Sequence, residues 1–179
     1  MKKRVMLLVL VGILSTMMSY AQTVTKSANG AIIDASAIPH TKVKKARGTD
    51  GTNSTMGSNT AANIGSAVSN ERVYYKFEVY KADNYTGKDW FSAVNLCKDL
   101  LVDGGGWRLP TQREFMLMWV LKPELHKIGD FVPFSNLFYR SATEREGSAN
   151  SWLMNPYDGY TAPNYGKTNR YLVRCVRDL

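Results

Sequence analysis

The sequence predicts an α+β domain, on three observations. A run rich in β-branched and aromatic residues at 73–80 is followed by two stretches with apolar residues at helical spacing, and these by short strand-like runs reaching the C-terminus. Strand, two helices and then several strands is the order of α+β folds rather than of alternating α/β ones. Nearly all the aromatic residues, both cysteines and five of the six prolines fall in the last 109 residues. The domain is therefore placed at residues 71–179, a length that holds a single small core.

The elements follow in order. Residues 73–80 (VYYKFEVY) alternate in part and suit a strand. Asp89 is placed to cap a helix in which Trp90, Ala93, Val94, Cys97, Leu100 and Leu101 share one apolar face, and Gly104, Gly105 and Gly106 are expected to end it. Thr111 and Glu114 have the T-x-x-E spacing of a capping box, so a second helix opens near Gln112. Phe115, Met118, Trp119 and Leu121 make that helix largely buried, and Pro123 marks its end. Residues 138–143, 151–154 and 171–176 read as strands. Residues 155–170, with two prolines and two glycines, read as a long loop.

Residues 1–21 read as a cleavable export signal. Lys2, Lys3 and Arg4 precede an apolar run at 5–14 that is too short to span a bilayer, and Ser19 and Ala21 are the small residues before a cut at Gln22. Removal of that stretch, which has no acidic residue, takes the formal charge from +8 to +5. So mild an excess does not call for a nucleic-acid partner, and no further apolar segment predicts membrane insertion after cleavage. The expected localisation is secreted, periplasmic or cell-surface. Residues 22–70 read as a flexible low-complexity segment, because residues 48–69 are almost all Gly, Ser, Thr, Asn and Ala. Lys42, Lys44, Lys45 and Arg47 within it form either a solvated tail or a polyanion contact or processing site. In an exported chain the lone pair Cys97 and Cys175 reads as a disulfide, with two separate buried thiols as the alternative.

Several spaced blocks carry a resemblance. Trp90, Ala93 and Cys97 are followed by GGWRLPT at 105–111 with Glu114, YRSATE at 139–144, Trp152, Gly159, Lys167, and VRCVRD at 173–178. In that order they resemble the bacterial exported domains that include the C-terminal domain of the Legionella collagen-like adhesin and the Fibrobacter succinogenes major paralogous domain, over about residues 73–179. The resemblance implies a C-type lectin-like fold, with two helices and a small, mostly antiparallel sheet. It also implies a cysteine of the first helix, Cys97, paired with one on the last strand, Cys175. It further implies ligand binding at the cell surface, often to glycans. The short exported form looks similar to proteins of Bacteroides-type bacteria, some of them associated with fimbriae, so fimbrial subunits join glycans and surface proteins as expected partners.

Calcium-dependent lectins use E-P-N or Q-P-D and W-N-D triplets, because Ca²⁺ takes several oxygen ligands on one loop face. Neither triplet occurs, and Asn155 with Asp158 offers too few oxygens, so no metal and no cofactor is expected. The fold is also resembled by the formylglycine-generating enzymes, which rely on reactive cysteines and copper. Here both cysteines read as structural, His40 and His126 stand alone, and no Ser-His-Asp or paired-carboxylate arrangement is visible. A noncatalytic module is expected, with a structural assembly subunit as the alternative. Trp107, Leu109 and Pro110 read as packing and turn-setting residues, Thr111 and Glu114 as caps, and Arg108 with Glu144 as an internal ion pair. In a C-type lectin-like fold the long loop before the final strand is the recognition face. The candidate ligand residues there are Tyr157, Asp158, Tyr160, Asn164, Tyr165 and Lys167, the rings either facing a ligand or folding inward.

Overall fold

The computed structural model describes residues 22–37, 76–145 and 149–179. The expected export signal, most of the low-complexity segment including the basic cluster and His40, and residues 73–75 of the first expected strand lie outside them. Mixed α+β is the class observed, with three α-helices, one disulfide and two five-stranded sheets among the described residues. The small single sheet of the sequence reading is thus corrected to two.

The first sheet has the order β1-β2-β3-β10-β5, every neighbour antiparallel: β1 Thr23–Lys26, β2 Gly30–Asp34, β3 Lys76–Tyr80, β5 Trp107–Arg108 and β10 Val176–Asp178. Residues 23–34, expected to belong to the flexible segment, are ordered instead. They form a β-hairpin laid on β3, with Ala31, Ile33 and Ala35 buried at a period of two and Ile32 and Asp34 between them half-exposed. That alternation spans only a few residues, and the polar composition of the stretch after it masks it.

Gly30 sets how closely the hairpin docks. A Cβ there would stand 2.1 Å from the Val79 carbonyl oxygen, which is backbone and cannot swing away. Gly30→Ala is expected to cost roughly 2–3 kcal/mol, the scale of overpacking a close-packed site. A lower urea midpoint with an unchanged slope would register it; an unaltered midpoint would show that the hairpin is not integral to the fold.

Helix α1, Trp90–Lys98, opens as expected, the Asp89 side chain accepting from the Ser92 amide at 2.9 Å. Trp90, Phe91, Ala93, Val94 and Cys97 are buried. Leu101 is not. The helix ends at Lys98, before the glycines, and the chain turns through a 3-10 segment at Val102–Gly104 that leaves Leu101 79% exposed. Helix α2, Gln112–Val120, begins on a complete capping box between Thr111 and Glu114. Pro123 does not merely end it: with Leu121 as the intervening cap, the proline lies in the first turn of a short helix α3, Lys122–Leu125, where its missing N–H has no intrahelical role.

The second sheet has the order β4-β9-β6-β7-β8: β4 Asn84–Lys88, β6 Tyr139–Glu144, β7 Asn150–Met154, β8 Thr161–Gly166 and β9 Tyr171–Val173. Only β6 and β9 run parallel. Two expectations change here. Much of the anticipated loop is strand β8, hairpinned onto β7, and the single anticipated strand at 171–176 is split. Its first half lies in the second sheet and its last residue opens β10 in the first, with Arg174 and Cys175 at the crossing between them.

One apolar cluster joins β2 and β3 of the first sheet to Phe115 and Met118 of α2 and to Tyr139, Met154 and Leu172 of the second. Another packs α1 against Trp107, Leu109, Ala142 and Val173, and within it Cys97 and Cys175 form the disulfide. The alternative of two separate thiols is thereby excluded.

Candidate ligand-binding face

The signature blocks carry the fold. In VRCVRD every residue is engaged. The Arg174 guanidinium is buried, donates to Asp83 Oδ1 at 2.5 Å and to the Tyr80 and Val132 carbonyls, and stacks over Phe131 and Phe134. Tyr139 donates its hydroxyl to the other Asp83 oxygen, and burial together with the Asp83 charge holds that phenol well above its ordinary range. Arg177 binds buried Glu78 and reaches Asp103 at 2.8 Å, lying over the Trp107 ring. It thereby fastens the 3-10 turn, in which Asp103 has a left-handed φ of 51°.

Arg108 does not pair with Glu144, as the sequence suggested. It forks onto Glu114 at 2.6 and 2.8 Å and onto Asp178 at 2.7 Å, tying β5 to the start of α2 and to β10. Burial alone would lower the Arg108 pKa, but the two carboxylates outweigh it and raise it above the ordinary value. Glu114 thus caps its helix and neutralises an arginine with one side chain. Trp107 is buried, its indole N–H donating to the Val102 carbonyl, and the Pro110 carbonyl accepts from the Ala142 amide at 2.7 Å. Glu144 pairs instead with Lys167 at 2.6 Å, both buried, with the ammonium 4.6 Å from the Trp90 ring centroid. Lys167 is consequently withdrawn from the candidate ligand set: it is a core cation and cannot meet a ligand at the surface.

All six residues of YRSATE are buried. Arg140 there donates to Ser151 Oγ and to the Gly166 and Asn169 carbonyls, none of them charged, and its Nε has no partner. Burial pushes its pKa down to about 10, which leaves it a cation at neutral pH. Its guanidinium carbon lies 4.6 Å from the Tyr171 ring centroid.

The other candidates remain at the surface. Tyr157 and Tyr160 are 67% and 52% exposed, which excludes the inward-folding alternative for both. They sit on a turn built locally: Asn155 accepts from the Tyr157 amide, and Asp158 from the Tyr160 amide. Gly159, at φ +76°, lies against Trp119, so that a Cβ there would meet the indole at 2.6 Å. Asn164 is exposed and accepts from Arg145 at 2.5 Å. Tyr165 is half-buried. Burial and the neighbouring Tyr160 and Tyr171 raise its pKa, keeping the hydroxyl protonated and available as a donor.

Of the candidates, only Tyr160 and Tyr165 are brought together, by a ring absent from the expected set, while Tyr157, Asp158 and Asn164 stand outside that cluster. Phe138 touches Tyr160 at 6.1 Å, Tyr165 at 5.4 Å and Tyr171 at 6.4 Å between centroids, and Tyr165 meets Tyr171 at 5.7 Å. Next to this cluster lie two exposed residues, Tyr85 and Leu137, and between them runs a groove of about 360 Å³. Phe138 and Tyr171 were legible only as strand residues; alternation within so short a run does not tell which sheet face each occupies.

A scan of protein-family models and a search of the curated proteins gave no match to this sequence. The chain is a disulfide-bridged α+β domain with an aromatic face on its second sheet. Among the described residues no group of acidic, histidine or cysteine side chains is arranged to hold a metal ion, and no helix is long and apolar enough to cross a membrane.

Proposed function

We propose that this chain is an exported, noncatalytic recognition module, a cell-surface or fimbria-associated adhesin that binds glycan or protein through the aromatic face of its second sheet. The observation that carries this reading is the cluster of Phe138, Tyr160, Tyr165 and Tyr171 with exposed Tyr85 and Leu137 beside it. Tyrosine presents a flat apolar face and a hydroxyl while losing little rotamer freedom, which suits stacking on a sugar ring or a partner surface. The C-type lectin-like fold belongs to this proposal. It is supported by the bridge from the first helix of the domain to Cys175, just before the last strand, while strand β8 stands where a long recognition loop was expected.

The test is a glycan array probed with the mature protein and with the double variant Tyr157→Ala, Tyr160→Ala. Loss of about tenfold or more in apparent affinity is expected, the scale of removing an aromatic anchor. Because both rings are exposed, the melting temperature should move by less than about 5 °C. A large thermal loss with binding intact would show that the rings serve the fold.

The alternative, a structural assembly subunit without a small ligand, draws on β1. This short strand closes one edge of the first sheet and is largely exposed, a geometry open to strand pairing with another chain. Glycan capture by the purified monomer favours the first reading, and capture of appendage subunits that is lost with β1 favours the second.

A further inference from the structure

The groove beside the aromatic cluster carries charge of one sign. It lies between Tyr85, Thr86 and Gly87 of β4 and the Leu137–Phe138 pair, over Arg170, Tyr171 and Leu172, and its volume of about 360 Å³ suits a small ligand. Arg170 is exposed, and its Nη2 donates to the Gly87 carbonyl at 3.2 Å, which pins the guanidinium across the end of β4 and β9. Lys88 is the register partner of Tyr171, and directly opposed strand residues project to the same sheet face. No carboxylate lines the groove, and neither Arg170 nor Lys88 has a carboxylate partner among the described residues. The acids flanking β4 in sequence are engaged elsewhere, Asp83 with Arg174 and Tyr139, Asp89 with the start of α1. An apolar floor with one uncompensated cation, Arg170, in its lining and a second, Lys88, at the next position of β4 is complementary to a ring that bears a carboxylate.

We infer that the groove takes a hexuronate unit of an acidic glycan. The sugar's apolar face rests on the Phe138 and Tyr171 side of the groove, and its carboxylate meets Arg170, with Lys88 adding charge. The inference rests on the recognition function proposed above and narrows its ligand class. Arginine's planar fork matches a carboxylate in two parallel hydrogen bonds, stronger than a bond between neutral groups.

Calorimetric titration of the mature protein with tetragalacturonate and with its neutral methyl ester tests it. The free acid is expected to bind at least tenfold more tightly than the ester. Arg170→Gln should remove most of that preference while leaving the weak binding of the ester in place, and Lys88→Gln, which leaves the Gly87 contact intact, should reduce it in part. Equal affinity for acid and ester overturns the inference but leaves the glycan reading standing. A preference for the acid that survives in the double variant Arg170→Gln, Lys88→Gln also overturns it, since the chain's overall positive charge would then be the cause. Failure of both forms to bind, together with a blank glycan array, removes the inference and the glycan reading together.

Discussion

Asp83→Ala is expected to lower the unfolding free energy by about 3–5 kcal/mol, the range for removing one partner of a buried ion pair. Asp83 and Arg174 both have fully buried side chains, and without the carboxylate an uncompensated guanidinium remains between Phe131 and Phe134. The Tyr139 hydroxyl loses its acceptor in the same step. Replacing both partners by apolar residues, Asp83→Leu with Arg174→Met, removes the stranded charge but leaves the Tyr80 and Val132 carbonyls without their donor. Each such orphan costs about 1–3 kcal/mol, so the double variant should recover only part of the loss. Urea unfolding of Asp83→Leu, of Arg174→Met and of the double variant gives the coupling directly. A loss under about 1 kcal/mol for Asp83→Ala would mean that the charge reaches water, contrary to the burial observed.

The second large effect is expected from Cys97→Ser with Cys175→Ser. The bridge closes a loop of 78 positions and ties α1 to the crossing between β9 and β10, the point where the chain passes from one sheet to the other. In the chain-entropy account a loop of this length is worth roughly 4–5 kcal/mol through the unfolded state. The unfolding midpoint should drop accordingly, reductant should impose a comparable drop on the wild type, and reductant should leave the double variant unmoved. If reduction shifts the wild-type midpoint by less than about 1 kcal/mol in equivalent free energy, the two sheets hold the crossing without the bridge.

The two effects are not equally visible from the sequence. The disulfide is visible, because only two cysteines exist and export favours pairing them. The Asp83–Arg174 pair is not, since its partners are 91 positions apart and nothing in either neighbourhood specifies the other. The same contrast runs through the charged residues of the signature blocks. Sequence alone permits Arg108 to pair with Glu144 and Lys167 to face a ligand. In the folded chain Arg108 meets Glu114 and Asp178, and Lys167 meets Glu144 beneath Trp90. Charge complementarity alone permits all of these pairings; strand register selects among them.

Local features are legible where four or five consecutive residues enforce them. Asp89 and the Thr111–Glu114 box start their helices because a cap satisfies amides within its own turn. The strands at 139–144 and 150–154 form close to where β-propensity and alternation put them. Long-range packing sets the rest: that residues 23–34 join the first sheet, that β8 replaces a loop, that the last apolar run divides between two sheets, and that Phe138 gathers Tyr160, Tyr165 and Tyr171 into one face. A cap is a contact within one turn of chain. A sheet neighbour or an aromatic cluster unites residues distant in sequence, and their placement depends on which strands pair and in which register, a choice made by the burial of the whole core.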